Sequence, residues 1–158
     1  MKSIIGRLLV GASVCAIAIT GIAIASAGSP GLEQPRVLRF KIVEEQNKVV
    51  FSDLDKSGGP SAGDQLLIEE TLLDFDSGTK PVGSAHSACT RLIRPGRFHC
   101  ETTTYVAGGR IETAGVIQAA GRTEVAVVGG TGGYDNARGY AAATSASGVE
   151  VTTFYLEP

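Results

Sequence analysis

From Val37 to Leu156 the apolar residues recur in short runs at every second position, without the three-and-four spacing of an amphipathic helix. In Gln65–Leu73, for example, Leu66, Ile68, Glu70 and Leu72 share one face, and Gln65, Leu67 and Glu69 share the other. The pattern predicts strands near Val37–Glu45, Gln65–Leu73, Val82–Leu92, Phe98–Ala107, Arg110–Gln118, Thr123–Val128, Gly139–Thr144 and Val149–Leu156. Turn chemistry separates most of them: Asp76-Ser77-Gly78, Arg94-Pro95-Gly96, Gly108-Gly109, Ala120-Gly121 and Ser147-Gly148. Eight short antiparallel strands at this spacing suggest a closed barrel or a sandwich. A barrel of that size either fills with side chains or holds one small ligand.

Gly108-Gly109 reads as a two-residue hairpin turn, which sets Val106 opposite Ile111, Tyr105 opposite Glu112 and Thr104 opposite Thr113. The face carrying Phe98, Cys100, Thr102, Thr104, Val106, Ile111, Thr113, Gly115 and Ile117 is apolar or small and is expected inside. His99, Glu101, Thr103, Tyr105, Arg110, Glu112 and Gln118 are expected outside. Cys89 and Cys100 flank the Arg94-Pro95-Gly96 turn, so they can meet on neighbouring strands and form a disulfide. His86 and His99, the only histidines, then share the opposite face too far apart to hold one ion, and both read as surface residues.

The N-terminus changes the picture of where the chain works. Lys2 and Arg7 precede an apolar stretch, Leu8–Ala25, and Ala25-Ser26-Ala27 fits a signal-peptidase site. Residues 1–27 are expected to be a signal peptide, 28–36 a flexible segment and 37–158 the β-domain; a retained anchor helix is the alternative. Cleavage would leave 12 basic against 16 acidic residues, a net charge of −4, which gives no support to nucleic-acid binding. An exported chain meets oxidising conditions, which favour the Cys89–Cys100 bridge. The expected location is therefore secreted, with no membrane association after cleavage. No motif points to a cofactor or a metal: Asp53-Leu54-Asp55 and Asp74-Phe75-Asp76 lack calcium-loop spacing and read as solvated turns, and there is no nucleophile elbow.

The run Val127-Val128-Gly129-Gly130-Thr131-Gly132-Gly133-Tyr134-Asp135-Asn136-Ala137-Arg138-Gly139-Tyr140 lacks the Lys-Ser/Thr ending of a phosphate loop. It resembles instead the VVGGTG…ARG signature of dirigent proteins and allene oxide cyclases. Gly63-Asp64-Gln65 with Glu69-Glu70-Thr71-Leu72, Gly83 to Cys89, and Gly108-Gly109-Arg110-Ile111 with Gly115 resemble further segments of that superfamily in the same order. The resemblance implies an all-β, eight-stranded antiparallel barrel, often trimeric, with a mostly apolar lumen. It places the cyclases' pocket cysteine on Cys89, their second-strand asparagine near Glu70 and their first-strand glutamate near Lys41. That last charge reversal argues against allene oxide cyclisation itself. Glu70, Arg138 and Tyr140 are the nearest counterparts of the groups with which dirigent proteins steer coupling.

Glu70 also stands out by position, since a carboxyl among Leu66, Ile68 and Leu72 would have its pKa raised and suit a general acid. A salt bridge to Lys41 or Arg138 is the structural alternative. Arg138 is equally readable as a clamp on carbonyls of the glycine-rich crossing. The expected site is thus Glu70 as catalytic group, with Lys41, Arg138 and Tyr140 binding substrate. The expected function is a secreted barrel that binds a small apolar molecule and steers its cyclisation or stereoselective coupling, an isomerase-like activity if it is an enzyme. A non-catalytic binding barrel and a structural or interaction domain with a filled lumen are the alternatives. A homodimer or homotrimer is a further expectation.

Overall fold

The computed structural model describes residues 36–118 and 121–158. The expected signal peptide, its cleavage site and the segment up to residue 35 lie outside the described residues. The strands are β1 (Arg36–Val43), β2 (Lys48–Ser52), β3 (Gln65–Asp74), β4 (Pro81–Arg91), β5 (Arg97–Val106), β6 (Gly109–Gln118), β7 (Thr123–Gly132), β8 (Gly139–Ala146) and β9 (Val149–Leu156). Arg36, assigned by sequence to the segment before the domain, is already the first residue of β1. All pairings are antiparallel and run β1-β9-β8-β7-β6-β5-β4-β3, and β1 pairs back onto β3 to close an eight-stranded barrel.

The first wall of the barrel is interrupted. β1 lies against β3 through Phe40↔Asp74 and Lys41↔Leu73, then a 3-10 turn at Glu44–Gln46 intervenes. The chain resumes as β2, which pairs with the start of β3 through Lys48↔Glu69 to Ser52↔Gln65. β2 was not foreseen: Val49-Val50-Phe51 is a continuous apolar run with no alternation, and the charged Glu44-Glu45 reads as the end of a strand.

Two further corrections concern glycine. The β5–β6 hairpin turns at Ala107-Gly108, one residue earlier than expected, with Val106↔Gly109, Tyr105↔Arg110 and Thr104↔Ile111 as pairs. Gly109 joins the strand at φ +152°, so close to the carbonyl of Thr131 that a Cβ would not fit. The pairs shift by two residues, so the side chains keep their expected faces, except that Gln118, expected outside, lines the cavity at the end of β6. The Val127–Gly133 run also does not end a strand at Val128. β7 continues through Gly132, with a bulge that leaves Val128 as the extra residue between Glu112↔Gly129 and Thr113↔Val127.

The core fills one end of the barrel. Phe40, Leu72, Ala85, Ile111, Val127, Phe154 and Leu156 meet there, and Phe40 and Phe154 pack edge to face. Tyr134, delivered by the loop after the glycine run, plugs this end: its hydroxyl accepts from Arg36 Nη2 at 3.0 Å and donates to the Ala107 carbonyl at 3.3 Å. The Arg36 guanidinium also lies 4.5 Å over the Tyr134 ring. Cys89 and Cys100 pair directly across β4 and β5 and are disulfide-bonded. His86 and His99 are both exposed on the outer face.

Candidate functional site

The opposite end of the barrel is open and leads into a cavity of about 600 Å³, within the usual range for small-molecule sites. It exists because the lumen positions there are short. Ala141, Ala143 and Ser145 come from β8, Thr102 and Thr104 from β5, and Thr113 from β6. Leu66, Ile68, Phe98 and Ile117 supply apolar wall, and the Cys89–Cys100 bridge forms part of the lining. Cys89 therefore offers no free thiol to the cavity. The strand alternation read from the sequence holds here: Leu66, Ile68 and Glu70 face in, and Gln65, Leu67 and Glu69 are exposed.

Glu70 lines the cavity from the middle of β3. Its Oε1 accepts a 3.1 Å hydrogen bond from Asn47 Nδ2, placed by the 3-10 turn between β1 and β2. Burial, above all, pushes the Glu70 carboxyl up to about 7; the Glu150 charge adds to the rise, the Asn47 hydrogen bond opposes it, and Glu44 adds a little more. At neutral pH the group is thus poised between acid and base, where one side chain can both give and take a proton.

Glu44 and Glu150 were missed by the sequence reading. Both line the mouth, Glu44 from the 3-10 turn that follows β1 and Glu150 from the start of β9, where its Oε1 accepts from Thr152 Oγ1 at 2.7 Å. The signal was present as period two: Leu38, Phe40, Ile42 and Glu44 share parity, as do Glu150, Thr152 and Phe154.

The structure does not bring Lys41, Arg138 or Tyr140 into the lumen. Lys41 alternates with the inward Phe40 and Ile42, so it points out, with Nζ 5.1 Å from the centre of the Phe75 ring. Arg138 is exposed at the plugged end, where Nη1 donates to the carbonyls of Val128 at 3.1 Å and Ala137 at 2.7 Å. That is the carbonyl-clamp reading of this arginine. Tyr140 alternates with the inward Ala141, is 42% exposed, and stacks on Tyr155 with ring centres 4.6 Å apart. Glu70 forms no salt bridge with Lys41 or Arg138.

One acidic group lies apart from the cavity. Carboxylate oxygens of Asp53, Asp55 and Asp64 come within 4.8 Å of one another, which their sequence spacing did not reveal. They are occupied in holding the loop between β2 and β3: Asp64 accepts from the N–H groups of Ser61 and Leu54, Asp55 from Ser57, and Asp53 from Gly58. These bonds, foremost that of the Ser57 N–H, draw the Asp55 carboxyl down to about 2. Asp64 is lowered too, chiefly by the Ser61 N–H.

Among solved structures, the pterocarpan synthase dirigent protein PsPTS1 superposes with a TM-score of 0.60 at 20% identity, over 80% of this chain and 98% of that one. The chain has the dirigent-type barrel fold. Pyocyanin demethylase shares the same dirigent-type barrel, with a TM-score of 0.65 at 24% identity over 77% of this chain and 99% of that one. The Diels Alderase AbmU from Streptomyces koyangensis matches at 0.57 and 10% identity, over 77% of this chain and 63% of that one. No protein-family model and no curated protein sequence matches the chain. Among the described residues of this dirigent-type barrel, no helix is long and apolar enough to cross a membrane.

Proposed function

We propose that this barrel takes a small, largely apolar molecule into its open end and steers its cyclisation or coupling, with Glu70 moving the proton. The observation that carries the reading is a carboxyl held near neutrality inside a cavity of small-molecule size. Protonated, Glu70 donates to a substrate oxygen as charge develops there; ionised, it takes a proton back, so one group serves both halves of an isomerisation. The walls do the rest by confining a folded conformer, since orientation alone supplies much of such a rate enhancement. The folds similar to this one include a pterocarpan synthase dirigent protein and a Diels Alderase, whose names describe small-molecule ring chemistry. A lumen with this much free volume speaks against a purely structural barrel.

Denaturing extraction of protein purified from its native source, followed by mass spectrometry, tests the binding. A small molecule released in near-stoichiometric amount supports it. With that molecule in hand, Glu70→Gln keeps the shape and removes the ionisable proton, so it should retain binding and lose conversion. Unchanged conversion would remove Glu70 from the chemistry, and binding with no conversion by either form would leave a carrier. We propose further that the protein is exported, as the Cys89–Cys100 bridge of an oxidising compartment suits. N-terminal sequencing of secreted material starting at Gly28 supports export, and material starting at Met1 refutes cleavage. Self-association into a dimer or trimer is part of the same proposal and is read by light scattering.

A further inference from the structure

The charge of the cavity is one-sided. Among the described residues, its lining includes three ionisable side chains, Glu44, Glu70 and Glu150, and no lysine, arginine or histidine. Of the cations near the mouth, Lys48 pairs with Glu69 on the outer side of β3 at 3.2 Å and Arg122 pairs with Glu124, while Arg91 lies 5.9 Å from the centre of the Phe98 ring and Arg97 stands opposite Gln118, neither of them part of the lining. Asn47, which donates one amide proton to Glu70, leaves its Oδ1 buried and without a partner, a further acceptor beside the carboxyl. The remaining polar groups of the lining are hydroxyls and the Gln118 amide, which are neutral. Around this acidic mouth the surface is apolar. Val49 and Phe51 of β2 pair with Ile68 and Leu66, which places them on the lumen-side face of the sheet, yet they remain 55% and 46% exposed.

We infer that the ligand of this cavity is a cation on an apolar frame, a protonated amine or a quaternary nitrogen, seated among Glu44, Glu70 and Glu150 with its frame against Leu66, Ile68 and Phe98. This rests on the small-molecule reading above and narrows it to a substrate that Glu70 meets ionised, as the base of the proton transfer. An anionic ligand would meet the like charges of Glu44, Glu150 and, above about pH 7, Glu70 in a site partly shielded from water, where charge interactions are strengthened. A neutral ligand would leave the mutual repulsion of the carboxylates unrelieved. A cation relieves it, and the Glu70 carboxyl, raised by its neighbours Glu150 and Glu44 as well as by burial, ionises as the cation arrives. The groups that face Glu70 are Glu44 from the 3-10 turn, Asn47 just after that turn and Glu150 from β9. Binding must therefore release a proton at neutral pH and strengthen as pH rises through about 7.

Three fluorescent probes of one shape test the inference on the intact protein: 2-naphthylmethyl-trimethylammonium, its neutral isostere 2-neopentylnaphthalene, and 2-naphthylmethanesulfonate. At about pH 8.5 the cation should bind at least about tenfold more tightly than the neutral isostere, and the sulfonate should not compete. The preference should shrink at about pH 5.5, and titration calorimetry in two buffers of different ionisation enthalpy should show proton release near neutrality. Glu150→Gln should reduce the preference, and the proton release of the unaltered protein keeps the test decisive if that variant folds poorly. Neutral probe binding as tightly as the cation, or sulfonate binding, would overturn the inference while leaving a small-molecule cavity in place. Binding of none of the three would overturn the cavity reading itself, and the inference with it.

Discussion

Replacing Glu70 by Gln should make the protein more stable at high pH and leave it unchanged at low pH. The carboxyl is raised from 4.5 to about 7 in the fold. Below the unfolded value it is protonated in both states and costs nothing. Between the two values the folded state holds a proton that the unfolded state has released, so stability falls as pH rises. Above about 7 the folded state carries the full burden of a buried, crowded charge. At 1.36 kcal/mol for each unit, the ceiling on that burden is about 3 kcal/mol. Gln is a permanent stand-in for the protonated form and still accepts the Asn47 hydrogen bond. The difference between variant and parent should thus climb from near zero at about pH 4 to between about 1 and 3 kcal/mol at about pH 8.5. Urea denaturation across a pH series, with the disulfide intact, reads it directly as a shift in midpoint at constant slope. A difference that is flat with pH, or a variant less stable at pH above neutrality, would refute the placement of Glu70 in a desolvated, acidic environment.

Other expectations follow from the packing. Tyr134→Phe should cost about 1–2 kcal/mol through the lost hydroxyl bonds to Arg36 and Ala107, and Tyr134→Ala about 3–5 kcal/mol by unplugging the packed end; thermal melts check both. Arg138→Ala should lower stability by about 1–2 kcal/mol and leave ligand affinity unchanged, because its bonds go to Val128 and Ala137 carbonyls outside the cavity; a loss of affinity without loss of stability would contradict this. Replacing Cys89 and Cys100 together by Ser should cost about 3 kcal/mol by the loop-closure estimate. Peptide mapping of unreduced protein should find neither of the two cysteines alkylated.

What the chain revealed by its pattern, and what it concealed, divides along a physical line. Strands whose side chains alternate cleanly, such as Gln65–Asp74 and Arg97–Val106, were legible because one face is buried and the other wet. β2 was not, because it lies past the point where the wall leaves the barrel, and its Val49, Val50 and Phe51 are all exposed. The Ala107-Gly108 turn was misread by one residue because two adjacent glycines fit either position, and only the approach of the Thr131 carbonyl to Gly109 decides between them. Glu70 was legible as an inward carboxyl from its own strand. Glu44 and Glu150 were overlooked because an acidic residue beside a turn reads as a solvated strand end. Lys41 and Tyr140 were assigned from likeness to other chains, and the parity of their own neighbours, Phe40 with Ile42 and Ala141 with Ala143, was the better guide. The gathering of Asp53, Asp55 and Asp64 depends on how a loop folds back, which no periodicity encodes.

The seam between β1 and β9 also constrains the order of folding. Arg36 pairs with Leu156 and Val43 with Val149, so the first strand cannot be zipped along its length until the last one exists. Until then β8 is an open edge, and the packed end lacks Phe154 and Leu156. Pairing the two extremes of the domain carries a large loop-closure entropy, and topologies of that kind reach their native state slowly. A ribosome-bound or partly made chain would stay unfolded for as long as its C-terminal strand is missing. Truncation at Ser147-Gly148 is therefore a lesion of the whole barrel rather than of its last hairpin.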